Sequence, residues 1–586
     1  MKNILCFIII LAVISSVSGQ VDPHIEELPL SVLEKRGKNA EKIGDIYTAL
    51  DYYEEYCRRN ERNAEITFRL AECYRLTNYY IKARTWYKKT LKLSRSKYAI
   101  AYYYLAMMYK AEGHYEEAIE SFDKFKRHAR GSSGLKRSVK DQLKGCELGI
   151  EAQKEPEKVI INLLDETVNN PNIDFCPALM NDTFLIYGAL RTDTVQYFDS
   201  EEPAATYRKF YYAILEDSVW KGKDTLPGPF NSNEGHTGNG AFSPDKKRFY
   251  FTRCQLNWQN KARCEIFMSE RIKGTWQEPK KLDSRINSPE YTSTHPATGI
   301  ESKEKKEVLY FVSDRPGGKG GMDIWYSIYD TVSGKFSEPR SLGNKINTAF
   351  DEMTPFYENQ ARTLYFSSNG HASLGGFDIF KSRGQLSKWT RPKNMGYPLN
   401  TGADEVYCII NENHREQGFF ASNREGGFAF KTPNCCDDLY SFILLDYVDV
   451  YVRVKTFEIF NKNQYLGLKA DTAMKNTIDT LVLCDAMVSF YQQEMDEEME
   501  NAETIFIDSL QTDYYGETLI RLDPDNEYSI MANKDGYFGK QTIVSTKGIR
   551  KADTLERVLY LEPIPKKAIV IDNKYYKFNK SDLTPE

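Results

Sequence analysis

The chain has 586 residues, far more than one hydrophobic core needs, so several domains are expected. Its formal net charge of −5, from 78 basic and 83 acidic residues, argues against the basic face of a nucleic-acid binder. The 40 tyrosines and 31 phenylalanines suit a chain rich in strands.

Residues 1–19 read as a secretory signal. Lys2 supplies the charge, Ile4 to Val13 a short apolar run, and Val17-Ser18-Gly19 the small residues for cleavage before Gln20. The alternative, a membrane anchor, needs a longer apolar run. Cys6 lies inside that run, not at its end, and is a poor site for a lipid. The mature protein is expected to be exported and soluble.

Residues 32–151 carry a helical pattern that repeats at a period near 34. Leu70-Ala71, Tyr74, Tyr80, Ala83 and Tyr87 recur as Leu105-Ala106, Tyr109, Tyr115, Ala118 and Phe122, after a partial copy at Gly44, Ile46, Ala49 and Tyr53. Leu135 to Gly149 is the expected capping helix. The pattern resembles tetratricopeptide repeats, in which small residues let paired helices cross closely. A generic helical bundle is the alternative. The resemblance implies a concave surface that docks a protein segment. The basic run from Lys124 to Arg130 reads as a solvated helix end.

Between residues 155 and 446 one unit recurs five times. Its clearest copy is Thr294-His295-Pro296, Leu309 to Arg315, Gly317-Gly318, Gly320-Gly321, Asp323-Ile324-Trp325 and Phe336-Ser337-Glu338-Pro339. The next copy has Thr354-Pro355, Gly375-Gly376, Asp378-Ile379-Phe380 and Trp389-Thr390-Arg391-Pro392. Repeat junctions fall at Asn169, Asn231, Asn287, Asn347 and Asn400, roughly 53 to 62 residues apart. Short aromatic strands with Gly-rich turns at this period predict a five-bladed β-propeller, with six blades as the alternative. The fifth unit lacks the closing aromatic-x-x-Pro segment. The strand from Val159 to Leu164 is expected to complete it and leave no open edge. Ser243-Pro244-Asp245 and the Asp323-Ile324-Trp325 tripeptide resemble repeats of TolB-type (WD40-like) propellers. Each acid is read as a cap of the turn before its strand, with the next aromatic packed between blades. A metal-binding ring of these acids is the alternative.

Residues 447–562 change to the pattern of a small β-sandwich. Asp485-Ala486, Val488 and Phe490 open a strand, and Tyr528 to Tyr537 close the pattern. This stretch resembles the carboxypeptidase regulatory-like, transthyretin-like module. The acidic insert Glu494 to Glu503 reads as a solvated loop or short helix. In the tail, residues 567–586, Ile569-Val570-Ile571-Asp572 and Tyr575 to Glu586 look like the start of an OmpA-like peptidoglycan-binding domain. None of that family's wall-gripping residues is present, so the chain is expected to be cut short of that domain.

Together these features give a multidomain α plus β chain. It resembles the periplasmic OmpA-family proteins of Bacteroidota, among them the PorE-type component of the type IX secretion system. The resemblance implies a periplasmic scaffold associated with the outer membrane or cell wall, docking envelope proteins and reaching peptidoglycan through the missing domain. A generic OmpA-family envelope-integrity protein is one alternative, and a propeller hydrolase or lyase another.

The sequence points to no catalytic, cofactor-binding or metal-ligating residue. There is no Cys-x-x-Cys pair, no His-x-x-x-His pair and no Gly-x-Ser-x-Gly elbow, and Gly317 to Gly321 lacks the Gly-Lys-Ser of a phosphate loop. A cluster of acids and histidine in the central channel would revive the enzyme reading. Expected partner loops are Arg191 to Arg208, Leu256 to Ala262 and Gly370 to Leu374. In the second, Asn257, Trp258 and Asn260 form a candidate anchor, unless Trp258 packs back on its own blade. Cys254 and Cys264 flank that loop and are either a cross-strand disulfide or two separate thiols. Cys435 and Cys436 are expected not to pair with each other.

Overall fold

The computed structural model describes residues 24–129, 133–191, 207–256, 262–429, 432–461, 478–496 and 501–564. The signal sequence, the tail 567–586 and the loop holding Asn257, Trp258 and Asn260 lie outside them.

The first described unit is a helical repeat region. Seven helices follow one another: α1 (Leu30–Ile43), α2 (Ile46–Arg59), α3 (Ala64–Leu76), α4 (Tyr80–Ser94), α5 (Ala101–Ala111), α6 (Tyr115–His128) and α7 (Ser133–Lys154). Local chemistry sets the boundaries. Asp45 Oδ1 accepts from Thr48 N at 3.1 Å and caps α2, and Asn63 Oδ1 accepts from Glu65 N at 3.0 Å and caps α3. The pairs cross closely where one side chain is missing. A Cβ on Gly37 would lie 2.5 Å from the Tyr53 ring, and one on Gly149 would lie 2.4 Å from the Tyr115 ring. Leu70, Ala71, Ala83, Tyr87, Leu105, Ala106, Ala118 and Phe122, the repeated positions, are buried in one core.

The β-rich remainder begins with β1 (Val159–Leu163) and continues as five antiparallel sheets. The first is β2 (Asp174–Asn181), β3 (Phe184–Ala189), β4 (Lys209–Glu216) and β5 (Val219–Thr225). The second is β6 (His236–Phe242), β7 (Arg248–Leu256) and β8 (Ala262–Ile272), with short β9 (Thr275–Trp276) and β10 (Lys280–Lys281). The third is β11 (Ser293–Ile300), β12 (Glu307–Ser313) and β13 (Asp323–Asp330), with β14 (Lys335–Phe336) and β15 (Arg340–Ser341). The fourth is β16 (Glu352–Glu358), β17 (Thr363–Ser368) and β18 (Asp378–Gln385), with β19 (Lys388–Trp389) and β20 (Lys393–Asn394). The fifth is β21 (Glu405–Ile410), β22 (Gln417–Ser422) and β23 (Asp438–Leu444). Its outer strand is β1, paired antiparallel with β23 from ahead of the first sheet. The first strands touch in a closed cycle: β2 meets β6, β6 meets β11, β11 meets β16, β16 meets β21, and β21 meets β2.

Each junction asparagine staples a sheet by the same contact. Asn347 Oδ1 accepts from Ile324 N at 2.9 Å while its Nδ2 donates to Ile324 O at 2.9 Å. Asn231 does this to Phe210, Asn287 to Ile266, Asn400 to Ile379 and Asn169 to Leu439. A side-chain amide has the donor and acceptor of a peptide group, so it extends the ladder where no further strand residue is in register. The acids before the third strands cap turns. Asp378 accepts from Leu374 N (2.6 Å) and Gly375 N (3.0 Å), Asp323 from Lys319 N and Gly320 N, and Asp438 from Phe428 N. Glycine is required beside them, since a Cβ on Gly318 would land 1.8 Å from Asp323 Oδ2.

Two further sheets face each other at the C-terminal end. One holds β24 (Val450–Asn461), β25 (Ile478–Val482), β28 (Glu517–Leu522) and β31 (Asp553–Leu561). The other holds β26 (Met487–Asp496), β27 (Asn501–Gln511), β29 (Glu527–Asn533) and β30 (Lys540–Ser545). Val452, Val454, Val488, Phe490, Ile507 and Ile530 fill the space between them. Of the acidic stretch Glu494–Glu503, expected as a loop or short helix, residues 494–496 and 501–503 instead pair in the β26–β27 hairpin, with Glu494 opposite Glu503. The ring answers its charge. Glu494 accepts from Arg391 N at 2.7 Å and lies 3.4 Å from Lys345 Nζ.

Candidate functional site

The five first strands surround a cavity of about 270 Å³. Its geometry comes from one repeated irregularity. Every first strand breaks register with its neighbour at the same place, between Phe175 and Ala178, Gly238 and Ala241, Thr294 and Ala297, Met353 and Phe356, and Val406 and Ile409. At each break one residue takes a left-handed backbone: Cys176, Asn239, His295, Thr354 and Tyr407, with φ of 48°, 56°, 47°, 49° and 58°. None is glycine, and such backbone is costly for a β-branched residue like Thr354. The bulges place these five residues along the cavity.

Hydrogen bonds tie them together. His295 Nε2 lies 3.1 Å from the Tyr407 hydroxyl, linking the third sheet to the fifth. Asn239 N donates to Cys176 Sγ at 3.1 Å, and Asn239 Nδ2 donates to Thr294 Oγ1 at 3.1 Å. Tyr407 N donates to Thr354 Oγ1 at 3.1 Å. His295 is only 7% exposed, and burial pushes its pKa down to about 3, so the ring is neutral. Burial likewise raises the Cys176 thiol to about 12 and keeps it protonated, a poor nucleophile. The acids among the lining residues, Asp182 and Glu412, sit in the turns at the cavity mouth, and Asp182 is held there by Asn413 Nδ2 at 2.9 Å. Among the described residues, the side-chain partner of His295 is the Tyr407 hydroxyl and not a carboxylate. Among the described residues, no cluster of three or more His, Cys, Asp or Glu side chains is arranged to hold a metal.

The helical region is joined to the ring face on which the first strands begin. Lys110 on α5 is fully buried, and its Nζ donates to Gln142 Oε1 and, at 3.0 Å, to Ser373 Oγ of the fourth sheet. Leu374 is buried within the helical core. Thr432 Oγ1 donates to Thr77 O at 2.7 Å, and Asn423 Nδ2 to the Tyr80 hydroxyl at 3.4 Å. The Gly370 to Leu374 loop, expected as a surface for a separate partner, is thus taken up by the chain's own helices. The Ser373 backbone fits the gap left by Gly145, where a Cβ would lie 2.1 Å from Ser373 O.

The C-terminal sandwich is joined to the opposite ring face through buried charge. Arg362 Nη2 donates to Asp508 Oδ2 at 3.0 Å, and Arg383 donates to the Tyr528 hydroxyl at 3.0 Å and to Arg521 O at 2.8 Å. Glu358, 2% exposed, faces Arg415 at 3.6 Å and Arg521 at 3.7 Å, and Arg521 also donates to Asp449 at 2.6 Å. Buried charges are tolerated only when paired in this way.

Of the residues singled out from sequence, Cys254 and Cys264 stand directly opposite on β7 and β8 and form a disulfide, with Cα atoms 4.0 Å apart. Cys435 and Cys436, expected to stay apart, are joined to each other in a loop turned by Cys435 N donating to Thr432 O at 3.1 Å. The basic end of α6, Lys126 to His128, is exposed to solvent. Asn257, Trp258 and Asn260, like most of Arg191 to Arg208, fall outside the described residues. His295 and Tyr407 were missed as site residues. The sequence carried a signal in Cys176-Pro177, His295-Pro296 and Thr354-Pro355, which recur at the bulge.

No known family model matches this chain, and no curated protein is similar to it. Several solved structures of helical-repeat proteins share about a fifth of it. The first TPR of Spaghetti (RPAP3), bound to an HSP90 peptide, is 19% identical over 22% of this chain and 97% of its own, with a TM-score of 0.19. MamA is 23% identical over 21% and 68%, TM-score 0.19. The Yersinia enterocolitica type III secretion translocator chaperone SycD is 18% identical over 21% and 86%, TM-score 0.20.

Proposed function

We propose that this chain is a non-catalytic scaffold of the bacterial envelope, holding protein partners at fixed separations. In this reading the helical pairs are tetratricopeptide repeats, the five sheets are the blades of a β-propeller closed by β1, and the C-terminal unit is a transthyretin-like spacer. One observation carries the proposal: both faces of the ring are joined to their neighbours through buried polar contacts, Lys110 to Ser373 on one side and Glu358, Arg415 and Arg521 on the other. Such joints favour a stiff three-part rod over a string of independent modules. A stiff rod suits a part that sets distances within an assembly. The resemblance to PorE-type proteins supplies the setting, a link between an outer-membrane secretion or gliding machine and peptidoglycan.

The test is crosslinking of the protein in intact envelopes, followed by mass spectrometry. Recovery of outer-membrane secretion or gliding components, crosslinked to the helical region or the ring, is the expected result. Glycan or peptide hydrolysis by the pure protein, abolished by a substitution at His295, would overturn the scaffold reading.

A further inference from the structure

The helical region carries a cleft of its own at the end away from the ring. α4 begins at Tyr80, whose hydroxyl accepts from Asn423 of the ring, and runs 15 residues to Ser94, about 21 Å along the helix axis. There the stretch from Leu91 to Ile100 faces the end of α6 across an open cleft of about 1150 Å³. Lys92, Arg95, Lys97 and Arg127 give its walls four positive charges, all exposed, and the described walls hold no carboxylate. Basic residues just outside are matched. Lys89, one turn before Lys92, pairs with Glu61, Lys124 with Glu120 at 2.7 Å, and Lys126 with Asp123 at 2.8 Å. Among the described residues, no carboxylate lies within ion-pair distance of the four cations in the cleft.

Helix ends account for a small part of this charge. The C-termini of α4 and α6 each present about half a negative charge, and the N-terminus of α5 about half a positive one. Together they offset about half of one cation. The remainder is a positive field concentrated in a recess, which draws anions from solution. Like charges around one recess also repel, and a bound anion relieves that repulsion.

The side chains define the anion. Arg95 and Arg127 offer planar forks that grip oxyanions through paired N–H groups, Lys92 and Lys97 add point charges, and Ser94 and Ser96 add hydroxyl donors. Arg127 Nε donates to Asp123 O at 3.2 Å, which steadies its guanidinium at the end of α6. A phosphate monoester carries about −1.5 to −2 at pH 7, so two phosphate groups match the four cations. An acidic peptide reaches that charge only over four residues, about 13 Å of extended chain. Leu93, 39% exposed beside these cations, offers apolar contact to whatever carries the phosphates.

We propose that this cleft binds a ligand bearing two neighbouring phosphate groups. The ligand is either a soluble diphosphate or the headgroup of a lipid with two phosphates, and both share the recognised chemistry. Titration calorimetry of the whole protein with inorganic pyrophosphate and with tetraglutamate tests this. Co-sedimentation with phosphatidylcholine vesicles containing cardiolipin, against phosphatidylcholine alone, separates the sources. Pyrophosphate or the cardiolipin vesicles should bind, and tetraglutamate at least about tenfold more weakly. Binding of pyrophosphate alone assigns a soluble ligand, and binding of the cardiolipin vesicles assigns a lipid. Arg95→Gln combined with Arg127→Gln should weaken whichever probe binds at least about tenfold. Lys35→Gln combined with Lys42→Gln removes equal charge from exposed positions on α1 and should change binding less than about twofold. All four positions are exposed, so both double variants should keep the wild-type circular dichroism. Failure of both phosphate probes, tetraglutamate binding as tightly as they do, or equal losses in the two double variants would each overturn the proposal.

Discussion

The joint between helices and ring makes a prediction whose sign separates two effects. Gly145 lies inside α7, where replacing glycine by alanine should stabilise the helix by up to about 1 kcal/mol. A Cβ built there, however, meets Ser373 O at 2.1 Å and Ser373 N at 3.1 Å. Both are backbone atoms, so no side chain can swing aside. Restoring ordinary contact requires the Gly370 to Leu374 loop to retreat by about 1 Å, given a packed interior with little spare volume. That retreat draws Ser373 Oγ from Lys110 Nζ, now 3.0 Å away, and leaves the fully buried Lys110 amine donating to Gln142 Oε1. Weakening a hydrogen bond to a buried charge costs about 1.5–3 kcal/mol, and partial exposure of Leu374 adds about 1 kcal/mol. The collision wins by about 2 kcal/mol. Gly145→Ala should therefore loosen the helix–ring joint. Hydrogen exchange should accelerate in Ser373 to Gly376 and in α7 near Gln142, and the urea midpoint should fall. Unchanged or slower exchange with a higher midpoint would mean that helix propensity governs this position, and that the joint is not packed as described.

Asn347→Asp keeps the acceptor for Ile324 N but loses the donation to Ile324 O and puts a carboxylate at a 2% exposed position. A loss of about 2–4 kcal/mol in urea unfolding is expected, and an unchanged midpoint would show that the staple is dispensable. Arg521→Ala leaves buried Glu358 facing Arg415 alone, which should cost the ring–sandwich joint about 3–5 kcal/mol and expose Leu445 to Tyr447 to limited proteolysis. Resistance equal to wild type would contradict a charge-locked joint. Burial raises the carboxyls of Asp378 and Glu352 to about 7. Their folded pKa values exceed the unfolded ones, so the stability they contribute is full below about pH 4 and is lost as pH rises through 7. Urea unfolding at pH 5.5 and 8.0 should show greater stability at 5.5, by on the order of 1 kcal/mol per group, and Asp378→Asn should shrink that difference. Greater stability at pH 8.0 would refute the assignment. Thiol labelling of the denatured, unreduced protein should spare Cys254 and Cys264, and modification of both would exclude their bridge.

Much of this architecture was legible in the sequence because it repeats. Leu70-Ala71 with Leu105-Ala106, and Asp323-Ile324-Trp325 with Asp378-Ile379-Phe380, each report a local unit solved the same way more than once. Period alone then fixes element type and count. The five junction asparagines mark the repeats in the sequence, and the structure gives the reason. Their pairing with Phe210, Ile266, Ile324, Ile379 and Leu439 joins residues about 21 positions apart in four sheets and 270 apart in the fifth.

What the sequence could not convey lies between units. The Gly370 to Leu374 loop reads as any exposed Gly-rich turn, because nothing local states that Gly145 has left room for it. Glu494 to Glu503 reads as a solvated acidic loop, because Lys345 and the Arg391 amide that answer its charge lie more than a hundred residues away. His295 and Tyr407, 112 residues apart, become a pair only when the third and fifth first strands face the same cavity. Periodicity and local propensity determined the units. Desolvation decided the joints and the cavity, because whether a lysine, a carboxylate or an imidazole is buried with a partner depends on which surfaces meet, and that is a property of the closed tertiary structure alone.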